Sequence, residues 1–249
     1  AARFFRDLGF HEIAHVSDTI VFLENRRWGF SDYLKQLQKE TPSAAGTAAA
    51  IVMNANPFTL GHLYLVECAA AESDLLHLFI VSEDASLFPF AVRERLVCAG
   101  TAHLSNIVYH ATGSYMISQA TFPSYFQKDE DAVIRSHAQL DIAVFARIAA
   151  ALSITRRYVG AEQASHVTSL YNETMLHDLP RAGIECRVIP RKEYGGAPIS
   201  ASTVRRAIQT GDMELLPALL PPTTLAFLQS EESAAIRKKI AEAADVIHY

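Results

Sequence analysis

Residues 48–62 read AAAIVMNANPFTLGH, and this stretch indicates an α/β fold most clearly. Its first six residues, Ala48–Met53, are apolar on both faces, which is typical of a strand buried inside a parallel sheet. A turn with one proline follows, and a helix with Gly61 in its first turn is predicted over Leu60–Ala71. An anion site is expected where that helix begins, because free N–H groups and the helix dipole favour negative charge there.

Apolar runs of strand length continue to alternate with helical stretches toward the C-terminus. Further strands are predicted over 75–82, 107–109, 157–159 and 185–189, and helices over 91–104, 132–151 and 168–177. Beyond residue 199 the pattern is helical, over 200–209, 213–219 and 223–244. Chain-crossing rules turn this alternation into an α/β fold, a doubly wound, Rossmann-like parallel sheet followed by C-terminal helices. Its ligands bind at the carboxyl ends of the strands.

Residues 1–40 follow a different pattern. A helix end over 3–8, a cap at Gly9 and strands over 10–15 and 19–24 are too few to close a core. These elements need a partner that is missing here, or they must pack against the rest of the chain. Residues 41–47, rich in small side chains, are a linker. We therefore expect a partial domain over 1–40, a linker over 41–47 and a catalytic domain over 48–249.

Composition and charge restrict the class of function. The 249 residues are 50% hydrophobic and 20% charged, an ordinary globular mixture that excludes a disordered or coiled-coil chain. The formal net charge of −5 argues against a partner nucleic acid, and the apolar runs are too short for a membrane span. Three widely spaced cysteines, Cys68, Cys98 and Cys186, predict buried thiols in a reducing compartment, so a cytoplasmic location is expected.

Two segments offer anion-binding groups. In the turn after the first strand, Thr59 and His62 supply donors on one face of the first helical turn. A plain capping turn is the alternative for this segment. In residues 199–205, hydroxyls at a helix start are followed one turn later by Arg205. Taken alone, that second segment favours an N-capped helix with a solvated arginine. Between the two, Gly160 ends another strand and would admit a flat ring or a ribose against the backbone.

Together these segments resemble the nucleotidyltransferases that carry the HIGH signature. The signature can take the form Thr-x-Gly-His, which residues 59–62 match. A late Ile-Ser-x-(Ser/Thr)-x-x-Arg motif matches residues 199–205, with the Gly160 turn between the two motifs. Residues 54–67, 117–129 and 187–205 narrow the resemblance to the citrate lyase ligases, and it covers nearly the whole chain.

The resemblance implies an ATP-dependent, AMP-forming ligase. Acetate attacks the α-phosphate of ATP, and the acetyl group then passes to the thiol of a prosthetic group on the acyl carrier subunit of citrate lyase. Mg²⁺ is expected with ATP and held mainly by its phosphates, since the sequence shows no carboxylate cluster for a metal. The resemblance also implies that residues 1–40 are the remnant of an acetyltransferase-like domain.

The resemblance further implies roles for single residues. The candidate catalytic residues are His62, Thr59 and Arg205, which would stabilise charge on the phosphates. The candidate nucleotide-binding residues are Asn54, Asn56, Gly61, Gly160, Glu162, Ser200, Ser202, Arg191, Lys192 and Arg95. For Arg95 a surface salt bridge is an equal alternative. Tyr125 and Lys128 would line the pocket for acetate or the thiol arm, with an aromatic plug between helices as the alternative. No metal ligand is predicted.

Two other functions stay open. A pantetheine-phosphate adenylyltransferase has a similar Thr-x-Gly-His motif, but it carries a Gly-Leu-Arg phosphate motif where this chain has Gly113-Ser114-Tyr115. A non-catalytic nucleotide-binding scaffold is disfavoured by the complete set of motif residues. Neither the acyl chain length nor the oligomeric state follows from the sequence.

Overall fold

The computed structural model describes residues 2–16, 20–43, 45–84, 86–116, 130–162 and 166–246. The strands are β1 (His11–Val16), β2 (Ile20–Glu24), β3 (Ala48–Met53), β4 (Leu75–Ile80), β5 (Ile107–Ala111), β6 (Ile154–Gly160), β7 (Glu185–Ile189), β8 (Glu193–Tyr194) and β9 (Ala197–Pro198). The helices are α1 (Ala2–Asp7), α2 (Gly29–Glu40), α3 (Leu60–Ala71), α4 (Phe90–Gly100), α5 (Glu130–Leu152), α6 (His166–Asp178), α7 (Ala201–Thr210), α8 (Leu216–Leu219), α9 (Pro222–Gln229) and α10 (Ala234–Glu242).

A five-stranded sheet with the order β5-β4-β3-β6-β7 forms the centre of the molecule. All four strand pairs in it are parallel. The chain runs outward from β3 to β5, then crosses back and continues from β6 to β7, which is the doubly wound order. The predicted fold class is confirmed. Between the carboxyl ends of β3 and β6, where the winding reverses, this fold leaves a crevice for ligands.

Both faces of the sheet are covered, because its central strands are apolar on both sides. All six residues of β4 are buried, as the run LLHLFI predicts. One core cluster joins the sheet to α3, α4 and the helices α7 to α10. The other joins it to α2, α5, α6 and strand β1. The C-terminal helices therefore lie on the same face as α3, the helix that begins at the first motif.

Predicted and observed bounds agree for β3, β7 and α3. The helix predicted over 223–244 is wrong, since it is two helices, α9 and α10. The buried hydroxyl of Ser233 interrupts it by donating to the carbonyl oxygens of Leu228 and Ser230, each at 2.9 Å. The helix predicted over 213–219 is a single 3₁₀ turn, Met213–Leu215, followed by α8.

Residues 2–40 pack against the rest of the chain. Strands β1 and β2 form an antiparallel hairpin that contacts α5, and Ile13 of β1 is buried there. Helix α2, which the sequence analysis does not predict, buries Phe30 and Leu37 in the same cluster. Among the described residues, no helix combines the length and apolar character needed to cross a membrane.

Candidate active site

Four segments meet where β3 and β6 end, although they are far apart in the sequence. The backbone of Ala161 donates to the carbonyl oxygen of Ile189 at 2.8 Å, which joins the ends of β6 and β7. An Arg205 Nη1–Asn56 O distance of 2.5 Å joins α7 to the turn after β3. The second bond joins the two sequence motifs, and the first joins the Gly160 turn to the end of β7.

Gly61 explains the close approach of the two motifs. A Cβ atom at this position would lie 2.7 Å from the carbonyl oxygen of Ile199, which is closer than side-chain carbons come to backbone oxygens. The first turn of α3 therefore packs directly on the residue before the cap of α7. Gly61 is required by this contact, and no side chain can replace its hydrogen without moving backbone.

His62 is tied to the start of its own helix by a capping box. Its backbone N–H donates to Thr59 Oγ1 at 3.3 Å, and its ring Nδ1 accepts from the Thr59 backbone N–H at 3.1 Å. Thr59 Oγ1 also lies 2.9 Å from Nδ1. Because Nδ1 is an acceptor, the neutral ring carries its proton on Nε2 and presents Nε2–H as a donor.

Electrostatics keep this imidazole neutral. Loss of hydration, together with the smaller influence of the positive charges of Arg191 and Arg205, lowers the pKa of His62 to about 4. At neutral pH the ring is therefore an uncharged hydrogen-bond donor with two cations nearby. A group of this kind stabilises an anion without itself gaining or losing a proton.

Arg205 is buried, with an exposed fraction of 3%, so the alternative of a solvated arginine is wrong. Its Nε donates to the carbonyl oxygen of Val246 at 2.6 Å, and its Nη1 donates to that of Asn56. Burial lowers the pKa of Arg205 to about 10, against the opposite influence of the Asp245 carboxylate. Arg205 is thus charged at neutral pH and links the turn after β3 to the end of the described chain.

Hydroxyl groups surround the start of α7. Ser200 is the N-cap, and its Oγ accepts from the backbone N–H of Thr203 at 3.0 Å. The same oxygen lies 2.8 Å from Ser202 Oγ and 2.8 Å from Thr203 Oγ1. These hydroxyls bond to one another, and each can turn its proton toward an anion at the helix start.

The ends of β6 and β7 carry the remaining charged candidates. Arg191 Nη2 and Glu162 Oε2 form an ion pair at 2.9 Å, with Glu162 nearly buried. Lys192 is exposed, and its Nζ lies 6.0 Å from the centre of the Tyr64 ring. Gly160 has open space at the position of a Cβ atom, since no heavy atom lies within 4 Å of it. The backbone of Gly160 is therefore accessible to a flat group.

Asn54 and Asn56 hold the turn after β3 by hydrogen bonds within the protein. Asn56 is buried, and its Oδ1 accepts from the backbone N–H of Phe88 at 3.0 Å. Asn54 bonds to Ser86 Oγ at 3.0 Å and receives two hydrogen bonds from Arg93. The side-chain amides thus shape the turn itself.

The sequence indicates Arg95 as a candidate nucleotide-binding residue and gives no such role to Arg93. Arg95 lies on the outer side of α4, where it pairs with Glu232 at 2.7 Å and stacks on Phe227, so the surface salt bridge is the arrangement observed. Arg93 is fully buried. A signal for this exists in the sequence, because Arg93 is three and four residues before the buried Leu96 and Val97 and therefore shares their helix face.

Two candidates, Tyr125 and Lys128, lie outside the described residues. Two cavities found among the described residues lie away from the crevice. One is lined by Glu12, Ile13, Ala14, His15, Ala143 and Arg147, beside the β1–β2 hairpin. The other lies at the amino ends of β3 and β4.

Comparison with known proteins gives matches that include the residues of both motifs. The sequence profile described as "Citrate lyase ligase C-terminal domain" matches residues 48–228, which include both motifs. The chain belongs to the citrate lyase ligase family. The resemblance noted from the motifs and the expectation of a ligase are therefore confirmed.

Similar proteins include "[Citrate [pro-3S]-lyase] ligase" of Klebsiella pneumoniae, 42% identical over 91% of this chain and 68% of the relative. The protein of the same name from Escherichia coli (strain K12) is 38% identical over 94% of this chain and 70% of the relative. Among solved structures, a putative nicotinate-nucleotide adenylyltransferase from Vibrio parahaemolyticus is 16% identical, with a TM-score of 0.46 over 80% of this chain and 98% of that one. Family membership rests on the first two relatives and the profile.

Proposed function

We propose that this citrate lyase ligase uses ATP to adenylate acetate and then acetylates a thiol of citrate lyase. The observation that supports this most is the contact of Gly61 with Ile199, which unites the two motifs beside a neutral His62. The names of the relatives supply citrate lyase as the target. The thiol would belong to the prosthetic group of the acyl carrier subunit.

In the first step an acetate oxygen attacks the α-phosphorus of ATP. The bond from that phosphorus to the bridging oxygen of the β-phosphate breaks, and pyrophosphate leaves with the electron pair. In the second step the thiolate attacks the acetyl carbon, and AMP leaves with one oxygen of the original acetate. Activation is required because a free carboxylate is a poor acyl donor. Neither step needs a protein nucleophile, so positioning and charge stabilisation are the main tasks of the chain.

His62 is proposed to donate from Nε2–H to an oxygen of the α-phosphate as negative charge builds up. Thr59 holds the His62 ring through the capping box, so we infer that it acts as a positioning residue. Ser200 and Ser202 are proposed to bind the β and γ phosphates at the start of α7. Arg205 contributes a buried positive charge beside them, and its direct contact with phosphate stays a prediction.

The nucleoside is proposed to lie over Gly160, where the backbone is open, with Glu162 near the ribose. Arg191 would then bridge Glu162 and the phosphates, and Lys192 would assist it. Mg²⁺ is expected to arrive on the phosphates of ATP. Among the described residues, no group of three or more His, Cys, Asp and Glu side chains could hold a metal, so no step is assigned to a protein-bound ion.

Several expectations stay predictions. They are the pocket role of Tyr125 and Lys128, the acetyltransferase-like origin of residues 1–40, the boundaries at 40 and 47, and the cytoplasmic location. The acyl chain length and the oligomeric state also stay open.

The test is ATP–pyrophosphate exchange with acetate, with 4′-phosphopantetheine and with neither. Exchange that requires acetate is expected from the proposed ligase. Exchange that requires 4′-phosphopantetheine would establish the adenylyltransferase instead. Absence of exchange under all three conditions would contradict the proposal and leave a nucleotide-binding scaffold.

A further inference from the structure

The buried guanidinium of Arg93 makes five hydrogen bonds. Its Nε donates to the carbonyl oxygen of Phe88 at 3.0 Å, and its Nη2 donates to that of Glu83 at 2.6 Å. Its Nη1 lies 2.7 Å from the carbonyl oxygen of Val81 and 2.9 Å from both the backbone oxygen and Oδ1 of Asn54. Four of the five acceptors are backbone carbonyls.

These bonds replace an ion pair. Among the described residues, no carboxylate lies within 4 Å of Arg93, although Asp84 and Glu83 influence its charge from farther away. Burial lowers the pKa of Arg93 from its usual value. Burying a charged group without a carboxylate partner is unfavourable. We infer that the planar fork of N–H donors in the Arg93 guanidinium serves instead to fix the positions of the oxygens that it binds.

That geometry joins two loops at the carboxyl edge of the sheet. One is the turn after β3, which starts at Asn54 and leads to the capping box of α3. The other is formed by residues 81–84 and 86–88 after β4, and the bond from the Phe88 N–H to Asn56 Oδ1 closes the link between them. A single side chain thus sets where the turn stands relative to the sheet.

We propose that Arg93 is a positioning residue for adenylation, acting on His62 and the start of α3 through the turn after β3. This inference rests on the proposed function. Arg93 acts through backbone carbonyls and through Asn54, not on ATP itself. Lysine cannot reproduce its effect, because an ammonium group lacks the planar fork that reaches both loops.

The test compares Arg93→Lys and Arg93→Ala with the matched pair Arg95→Lys and Arg95→Ala on the same helix. Acetate-dependent exchange is expected to fall at least tenfold in kcat in both Arg93 variants and to stay within twofold in both Arg95 variants. Low millimolar guanidinium is expected to restore part of the rate of Arg93→Ala and to leave Arg95→Ala unchanged. The KM for acetate is expected to stay the same.

Exchange within twofold of the Arg95 variants in a folded Arg93→Lys would overturn the inference. So would a stability loss with unchanged kcat, which indicates a purely structural role. If Arg93→Ala does not fold, the kcat of Arg93→Lys relative to that of Arg95→Lys decides. Should the wild type show no acetate-dependent exchange, the proposed function fails separately. ATP affinity of the Arg93 and Arg95 variants, measured by calorimetry, then decides whether the turn serves the nucleotide, and equal affinities reject that role.

Discussion

At the scale of single residues, the capping box of α3 gives His62 its chemical character. Thr59 N–H occupies ring Nδ1, so Nε2–H remains as the donor, and burial keeps the ring uncharged. A capping turn and an anion site, which stand as alternatives for this segment in the sequence, are two aspects of one structure. The cap is what orients the donor.

His62→Ala is expected to lower the rate of ATP–pyrophosphate exchange by about 10²-fold or more, since it removes a donor to the phosphate in the transition state. Loss of the ring's bond to Thr59 N–H also costs about 1 kcal/mol of folding stability. Steady-state exchange and urea unfolding measure the two effects. His103→Ala is the control, because His103 is an exposed residue paired with Glu67. Near-normal exchange in folded His62→Ala would remove this residue from the mechanism.

The two motif glycines are expected to respond differently to a side chain. Gly160→Val meets open space, so it should keep the unfolding temperature while raising the KM for ATP at least tenfold. Gly61→Ala meets the Ile199 carbonyl oxygen and should lower the unfolding temperature by several degrees. Thermal unfolding together with ATP saturation curves separates the two. An unchanged KM in Gly160→Val would exclude the nucleoside from this backbone.

At the scale of elements, sequence patterns predict β3 and α3 to the residue, because each combines an apolar run with a clear turn. The bounds of β7 are also predicted, although its sequence ECRVI includes two charged residues. Helix α2 escapes prediction because its twelve residues bury only Phe30 and Leu37, and the rest are mostly polar. Arg205 is a candidate catalytic residue from the sequence, but its burial, like that of Arg93, is not predicted, for a related reason. An arginine in a helix is normally solvated, and only the tertiary structure supplies the carbonyl oxygens that bury these two.

Phe30→Ala tests whether the N-terminal segment shares the core of the catalytic part. Phe30 is 2% exposed and packs in the cluster that contains α5, so its loss is expected to cost about 3–5 kcal/mol in the free energy of unfolding. Phe4→Ala, at a residue that is 63% exposed, is expected to change it by less than about 0.5 kcal/mol. Urea unfolding followed by circular dichroism measures both. A separate early transition that alone responds to Phe30→Ala would contradict a shared core.

At the scale of the whole molecule, the strand order places both motifs at the reversal point of the sheet. The alternation of strands and helices predicts this order, and the general rule for ligand position in such sheets predicts the location of the site.

The sheet also buries a pair of histidines that the site does not use. His77 Nδ1 and His110 Nε2, on neighbouring strands, lie 3.0 Å apart.

The histidine pair makes the stability of the fold sensitive to acid. Burial lowers the pKa of His77 from 6.5 to about 4, and it also lowers that of His110 although Glu40 opposes this shift. The unfolded chain therefore binds more protons than the folded one between these values. The contribution of His77 to stability is fully present above pH 6.5 and is lost as the pH falls toward 4, by up to about 1.4 kcal/mol per pH unit.

His77→Gln is expected to flatten the slope of unfolding free energy against pH between about 6.5 and 4. Urea unfolding at several pH values measures that slope. His103→Gln, at an exposed site, serves as the control and should keep the wild-type slope. A slope in His77→Gln that equals the control would show that the buried pair does not titrate in this range.

Attack of acetate itself on the α-phosphate can be followed with [¹⁸O₂]acetate. The full chain is incubated with ATP, Mg²⁺ and labelled acetate, with hydroxylamine as a surrogate acceptor for the acetyl group. If acetate attacks the α-phosphate, the AMP formed carries one ¹⁸O and pyrophosphate carries none, because AMP leaves with an oxygen of the attacking carboxylate. Label in inorganic phosphate together with ADP, or AMP without label, would contradict it.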